Sequence, residues 1–113
     1  MLNRDRLAWL PRGSFVVNTA RGPIVETTML PEALANGHLA GVGLDVIPIE
    51  PPSDEDPLIQ AWRDPGHPAH FRAIINPHAA FYCEEGVREM RVKAATACRL
   101  ALLEQPLRNV VNE

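Results

Sequence analysis

The sequence predicts an α/β fold with a small parallel sheet, and two observations lead to this prediction. Strand-like and helix-like segments alternate along the 113 residues, in the order strand, helix, strand, long loop, strand, long helix. The strand-like segments are short apolar runs such as Phe15-Val16-Val17, which is the pattern of parallel strands covered on both faces. Each element has its own local signals.

The first third of the chain contains a short helix, a strand and a second helix. Asn3 to Leu10 is predicted to be the end of a helix, with Asn3 as its cap. Ser14 to Asn18 is the first strand. The second helix runs from Glu26 to Asn36, and Gly37 is a left-handed stop after it.

The rest of the chain contains two more strands, a long loop and the longest helix. Leu39 to Val46 is predicted to be the second strand, and its Gly41 and Gly43 indicate close packing of a helix or a ligand against the backbone. The remaining elements are the loop Pro48 to His70 with one helical turn at Pro57 to Trp62, the strand Ala73 to Asn76, and the helix Glu84 to Glu104.

Three strands are fewer than dinucleotide-binding folds of this type contain, since those use about six or more. A strand of the buried type, such as Phe15 to Asn18, also needs a neighbour on each side. We therefore expect residues 1–113 to form the second half of a larger domain.

Composition excludes several classes of function. The net charge of −3 and the lack of a basic run disfavour a nucleic-acid partner. A transmembrane helix needs about 18 consecutive apolar residues. The sequence contains no apolar run of that length. Cys83 and Cys98 lie on or near one predicted helix and are expected to be free thiols, so we expect the protein to be cytoplasmic.

Four polar residues follow the predicted strands and therefore fall at one edge of the sheet. Arg21 follows the first strand, Asp45 and Glu50 lie at and after the end of the second, and His78 follows the third. Ligands of open parallel sheets bind at this carboxyl edge. Arginine can bind a carboxylate through two contacts, and histidine exchanges protons near neutral pH, with a neighbouring carboxylate fixing its tautomer.

Three of these residues also have a purely structural interpretation. Arg21 could bridge helices, Asp45 could cap a loop, and a lone histidine after proline, such as His78, is usually structural. A zinc site can be imagined for His67, His70, His78 and Cys83, but their spacing contains no tight ligand pair, and no metal site is predicted.

Three motifs make the sequence resemble the D-isomer-specific 2-hydroxyacid dehydrogenase family. They are Val17-Asn18-Thr19-Ala20-Arg21-Gly22, then Gly43-Leu44-Asp45-Val46 with Glu50-Pro51, then Asn76-Pro77-His78. The resemblance implies a partial Rossmann-like parallel sheet and reversible hydride transfer between NAD(H) and a 2-hydroxy or 2-oxo acid. For the intact protein it also implies a homodimer.

The resemblance also implies a role for each matching residue. Arg21 would bind and polarise the 2-oxo acid, His78 would be the acid–base, and Glu50 would orient His78. Asp45 would hold the nicotinamide carboxamide. The residues implied to bind the cofactor are Thr19, Ala20, Arg21, Asp45, His78 and Ala80.

Within the family, the sequence is most similar to the C-terminal-binding-protein corepressors and their bacterial relatives. This similarity rests on His78-Ala79-Ala80-Phe81-Tyr82, Glu89-Met90-Arg91, Ala94-Ala95-Thr96 and Leu107-Arg108-Asn109-Val110-Val111-Asn112. Phe81 stands where the corepressors carry a bulkier aromatic residue, so the resemblance implies no substrate preference.

One family feature is missing, because the chain has no G-x-G-x-x-G loop for a pyrophosphate. We expect the chain alone to bind NAD weakly and to be inactive. Two alternatives to the enzyme remain, a corepressor-like NAD-binding interaction protein and a non-catalytic truncated remnant.

Overall fold

Three parallel strands in the order β1-β2-β3 form the sheet, as the sequence predicts. They are β1 (Ser14–Asn18), β2 (Leu39–Leu44) and β3 (Ala73–Ile75). The computed structural model describes residues 1–108 and 110–111. It divides into two compact units, Met1–Ala79, which holds the sheet, and Ala80–Glu113. The α/β prediction is confirmed.

The second and third strands are shorter than predicted and end together with β1, at the aligned residues Asn18, Leu44 and Ile75. Leu44 is the last residue of β2 and pairs with Asn18 on one side and Ile75 on the other. Asp45 and Asn76 still donate backbone bonds to Asn18 and Leu44, but neither residue belongs to a strand.

The crossover from β1 to β2 contains two 3₁₀ turns, Gly22–Ile24 and Thr27–Met29, and then the helix α2 (Leu30–Ala35). The single helix predicted from Glu26 to Asn36 is therefore too long. Pro31 lies at the start of α2, where its missing N–H leaves no bond unmade, and the residues before it form the tighter turn. Gly37 has a φ of 72°, so the predicted left-handed stop is confirmed.

The long segment between β2 and β3 is more ordered than predicted. It contains the helices α3 (Pro57–Arg63) and α4 (Ala69–Arg72), and the second of these is absent from the sequence prediction. Asp56 caps α3, since its side chain accepts from the N–H groups of Leu58 and Ile59. Leu58 is almost fully buried and anchors this segment to the core.

The first helix, α1 (Arg4–Leu7), ends earlier than predicted. The predicted cap is confirmed, because the Asn3 side chain accepts from the Arg6 N–H at 3.1 Å. Trp9 and Leu10 continue the chain through i→i+3 bonds, a tighter turn than an α-helix.

The core lies on one face of the sheet. Six large side chains there are fully buried: Met29, Leu30, Leu34, Leu39, Leu44 and Leu58. Truncating such a side chain to alanine typically costs about 2–5 kcal/mol of unfolding free energy. These side chains come from the helices and strands and form the centre of the hydrophobic core.

The other face of the sheet is exposed, which corrects the prediction that β1 is covered on both faces. Val16 is buried, but its neighbours Phe15 and Val17 are 74% and 73% exposed. Side chains alternate along a strand, so only every second one faces the helices. Phe15 and Val17 pair with Gly41 and Gly43, and the Phe15 ring of the neighbouring strand lies against Gly41, where a helix or a ligand was expected.

The second unit consists mainly of the helix α5 (Glu84–Leu102), and none of its residues is buried. It ends two residues before the predicted Glu104, which itself has a φ of 53°. Cys83 and Cys98 are free, as predicted, and the structure shows that both are exposed. Asn109 and Asn112, which belong to the last corepressor-like motif, lie outside the described residues.

Among the described residues, no helix is both long enough and apolar enough to cross a membrane.

Candidate active site

The carboxyl edge of the sheet is held together by backbone bonds that continue past the strands. The Asp45 N–H donates to the Asn18 carbonyl at 2.9 Å, and the Asn76 N–H donates to the Leu44 carbonyl at 2.8 Å. The His78 N–H then donates to the Asp45 carbonyl at 2.9 Å. The three loops that carry the predicted site residues are therefore tied to one another at the backbone.

His78 and Glu50 form a direct pair at this edge. The Nδ1 atom of His78 lies 2.7 Å from Oε2 of Glu50. Since an ionised carboxylate can only accept, Nδ1 carries the proton and Nε2 is the nitrogen that can exchange a proton with a ligand. The two side chains are 43% and 36% exposed, so the pair is accessible.

Glu50 is held from its other side by the backbone. Its Oε1 accepts from the Ile47 N–H at 3.0 Å, so each carboxylate oxygen has its own donor. The Ile47 N–H, and after it the His78 ring, lower the pKa of the Glu50 carboxyl below its ordinary value. The ionised form of the Glu50 carboxyl is therefore favoured.

Asp45 holds the His78 loop in an uncommon conformation. His78 has a φ of 52°, in the left-handed region that costs a non-glycine residue free energy. The buried Asp45 carboxylate accepts from the Ala79 N–H at 2.8 Å, while its carbonyl accepts from the His78 N–H. The loop-capping interpretation of Asp45 is thus seen directly, whereas its predicted contact with the nicotinamide stays a prediction.

Asn18 closes the loop that carries Arg21. Its Nδ2 donates to the Arg21 carbonyl at 2.9 Å and its Oδ1 accepts from the Ala20 N–H at 3.1 Å. Asn18 is buried, so these two bonds are shielded from water. The sequence prediction gave Asn18 no role, although a polar residue that ends an apolar strand was a signal for one.

The Arg21 side chain is exposed and does not bridge two elements. Its Nη1 donates to the neighbouring Ala20 carbonyl at 2.7 Å, and it forms no ion pair within residues 1–108 and 110–111. The helix-bridging interpretation is therefore wrong for the described part of the chain. Thr19 and Ala20 are exposed in the same loop, and Ala80 opens the second unit.

A largely apolar cavity of about 390 Å³ adjoins the pair, and Glu50 and His78 form part of its wall. Trp62 and Ile59 of α3 line it together with Pro51 and Pro52. The loop after β2 and the helix α3 thus shape the surroundings of the His78 ring.

Two histidines of the long loop between β2 and β3 form hydrogen bonds with the backbone. His67 Nδ1 accepts from the Ala69 N–H at 3.1 Å, and His70 Nδ1 lies 2.8 Å from the Trp62 carbonyl. The described residues contain no group of three or more His, Cys, Asp or Glu side chains that could hold a metal ion.

Comparison with known proteins identifies the family. The family model described as "D-isomer specific 2-hydroxyacid dehydrogenase, NAD binding domain" matches residues 1–80, which include Arg21, Asp45, Glu50 and His78. A D-specific alpha-keto acid dehydrogenase of Enterococcus faecium is 32% identical over 108 residues, which is 87% of this chain and 32% of the relative.

Two solved structures are similar over nearly the whole chain. One is a D-isomer specific 2-hydroxyacid dehydrogenase from Xanthobacter autotrophicus Py2 in complex with NADPH and MES (TM-score 0.74, 32% identity, covering 98% of this chain and 41% of that one). The other is the NAD-complexed D-isomer specific 2-hydroxyacid dehydrogenase from Lactobacillus delbrueckii ssp. bulgaricus (TM-score 0.70, 28% identity, covering 99% of this chain and 35% of that one).

The chain spans only part of such proteins, between 26% and 33% of the length of the curated relatives. The match of the family model over residues 1–80 and the shared fold nevertheless agree with each other. The chain belongs to the D-isomer specific 2-hydroxyacid dehydrogenase family, in the NAD-binding domain.

Proposed function

We propose that residues 1–113 are the C-terminal half of an NAD-binding domain and supply the catalytic residues of a 2-hydroxyacid dehydrogenase. The intact protein would transfer a hydride reversibly between NAD(H) and a 2-hydroxy or 2-oxo acid. The observation that carries the proposal is the 2.7 Å contact between His78 and Glu50, at the sheet edge that also carries the Arg21 loop.

In this proposal His78 is the acid–base. During reduction its Nε2 donates a proton to the keto oxygen as the C2 carbon receives the hydride, and during oxidation the same nitrogen takes the hydroxyl proton. Glu50 stabilises the protonated ring through Nδ1 and fixes the ring orientation. Because Glu50 is itself held by the Ile47 N–H, the pair is ordered before a substrate arrives.

Arg21 binds the substrate carboxylate. A guanidinium can contact both carboxylate oxygens at once, which fixes the orientation of the acid as well as its position. The exposed Arg21 side chain, on a loop whose backbone Asn18 holds, suits this role.

The cofactor supplies the hydride, and the chain fits its nicotinamide end. The Thr19-Ala20 loop is exposed at the carboxyl edge, and we assign Thr19, Ala20, Arg21, Asp45, His78 and Ala80 to nicotinamide binding. The chain has no glycine-rich loop for the pyrophosphate, so we expect it to bind NAD weakly by itself.

The wider assignments are also proposals. A small 2-hydroxy or 2-oxo acid is the substrate, the intact protein is a homodimer, and neither nucleic acid nor membrane is a partner. The two free cysteines support a cytoplasmic location. The comparisons do not favour the corepressor-like alternative, because the relatives found are named as dehydrogenases.

The test replaces the matching segment of the Enterococcus faecium relative with this chain and measures NADH oxidation in the presence of 2-oxo acids. We expect turnover that falls about 10²–10⁴-fold in His78→Ala, the usual contribution of a general acid–base. Arg21→Ala should raise the KM for the 2-oxo acid. Arg12→Ala, at an exposed arginine bonded to the Asn36 carbonyl, is the matched control and should change neither value.

An active chimaera whose turnover is unchanged by His78→Ala would contradict the proposal. For the isolated chain, quenching of Trp9 or Trp62 fluorescence by NADH should show only weak binding. Tight binding in that titration would contradict the assignment of these residues to the nicotinamide end alone.

A further inference from the structure

We propose that Gly22 is a positioning residue of this site, which rests on the proposed function of Arg21, Glu50 and His78. The absence of a side chain at Gly22 lets the Arg21 loop lie directly on the peptide between Ile47 and Pro48. That contact sets the separation between Arg21 and the His78–Glu50 pair.

The contact leaves no space for even one methyl group. A Cβ atom at Gly22 would stand 2.0 Å from the Ile47 carbonyl oxygen, 2.2 Å from its carbonyl carbon and 2.5 Å from the Pro48 nitrogen. All three are backbone atoms, which cannot rotate away as the end of a side chain can. The two loops would have to separate before any other residue could occupy position 22.

Space, and not backbone conformation, is what requires a glycine here. The described glycines with positive φ are Gly13 and Gly37, so the backbone of Gly22 is one that any residue can adopt. Its close approach to Ile47 is therefore the feature that needs an explanation.

The residue that Gly22 contacts also supports Glu50. The Ile47 N–H donates to Glu50 Oε1 at 3.0 Å, and Glu50 Oε2 lies 2.7 Å from His78. On its other side, Gly22 follows Arg21, whose carbonyl is held by Asn18. One contact thus joins the loop of the substrate-binding cation to the loop of the proton-transferring pair.

A merely structural glycine would predict a different result. Gly22 also starts the 3₁₀ turn Gly22–Ile24, where the Val25 N–H donates to the Gly22 carbonyl at 3.1 Å. If the turn were its only role, a Gly22→Ala variant that still folds would keep the wild-type environment of Glu50. If the contact positions Ile47, the same variant loses the Ile47–Glu50 bond.

The experiment follows the Glu50 carboxyl carbon of the 113-residue chain by NMR through a pH titration. The Ile47 N–H lowers the Glu50 pKa, so in Gly22→Ala we expect this pKa to rise toward its ordinary value. The matched control is Gly43→Ala, where a Cβ would meet Val17 at an ordinary 3.7 Å, and it should leave the titration unchanged. A folded Gly22→Ala variant with the wild-type titration would overturn the proposal.

A second variant covers the case in which Gly22→Ala does not fold. Replacing Pro48 by glycine as well frees the opposing loop to move back, and the double variant should fold with a raised Glu50 pKa relative to Pro48→Gly alone. An unchanged pKa overturns the proposal. If neither variant folds, a strong NOE between Gly22 Hα and the Pro48 Hδ protons of the wild type supports the contact, and its absence overturns it.

Neither readout requires a cofactor, a substrate or turnover. Failure of the chimaera to oxidise NADH would therefore count against the proposed function and leave the positioning role of Gly22 standing. An unchanged Glu50 titration would count against the positioning role of Gly22 and leave the proposed function standing.

Discussion

The His78 loop and the Arg21 loop leave the same edge of the sheet, yet they are held in different ways. The His78 ring is bonded to Glu50, and its backbone is bonded to Asp45. In the Arg21 loop, Asn18 holds the backbone while the guanidinium remains exposed and bonded only to the adjacent Ala20 carbonyl, among the described residues. His78, the proposed acid–base, is thus ordered in advance, and Arg21, the proposed anion-binding residue, keeps its charge available for a ligand.

Asp45→Ala should have the largest effect on stability, because it removes the acceptor that holds the His78 loop. The Ala79 N–H loses its partner, whereas the bond from the His78 N–H to the backbone carbonyl of residue 45 remains. We expect a loss of about 1–3 kcal/mol in the free energy of unfolding, measured by urea denaturation. The control is Asp54→Ala, an exposed residue paired with Arg63, which should cost within about 1 kcal/mol. Equal losses in the two variants would contradict the role of Asp45.

Asn18→Ala tests the other loop and should have a smaller effect. The buried amide makes two bonds to the loop backbone, and their loss should lower the free energy of unfolding by about 1–2 kcal/mol. Asn36→Ala is the matched control, since that exposed side chain accepts a single bond from the His38 N–H at 2.8 Å. If Asn18→Ala costs no more than Asn36→Ala, the Arg21 loop is not held by Asn18.

The smallest expected effect is the dependence of stability on pH through Glu50. The pKa of Glu50 is lower in the folded chain than its ordinary value of 4.5. A carboxyl group with a lowered pKa stabilises the fold fully above its unfolded pKa, and this contribution is lost as the pH falls through the folded value. Wild type should therefore lose more stability than Glu50→Gln as the pH falls below about 4.5, measured by thermal melting. Parallel losses in the two proteins would show that Glu50 contributes no such term.

The two faces of the sheet explain why the sequence predicts some elements better than others. The helix side contains residues whose spacing follows one period, such as Leu30 and Leu34, so the helix between β1 and β2 is predicted in the right place. The apolar run Phe15-Val16-Val17 is a correct strand prediction, but its burial is wrong for Phe15 and Val17. A run of apolar residues does not reveal whether a second layer covers the far face.

The predicted site shows the same division. Its residues could be chosen because their types follow strand ends, and the motifs around Arg21, Asp45 and His78 match the family found by comparison. Asn18 and Gly22 lie within the motif around Arg21, but the sequence pattern assigns them no role. Asn18 matters because its side-chain amide is buried, and Gly22 matters because it lies against a backbone atom of Ile47, 25 positions along the chain. No local sequence pattern contains either fact.

The sequence by itself determined the order of strands and helices and the residue types available at the strand ends, because periodicity and turn residues act over a few neighbouring positions. Only the tertiary structure decided which of the residues at the strand ends contact one another. The parallel register aligns Asn18, Leu44 and Ile75, and the bonds beyond it bring Ile47, Glu50 and His78 into one chain of contacts. Such contacts depend on packing between segments far apart in sequence, and a hydrogen-bonded pair forms only where that packing leaves donor and acceptor within about 3 Å.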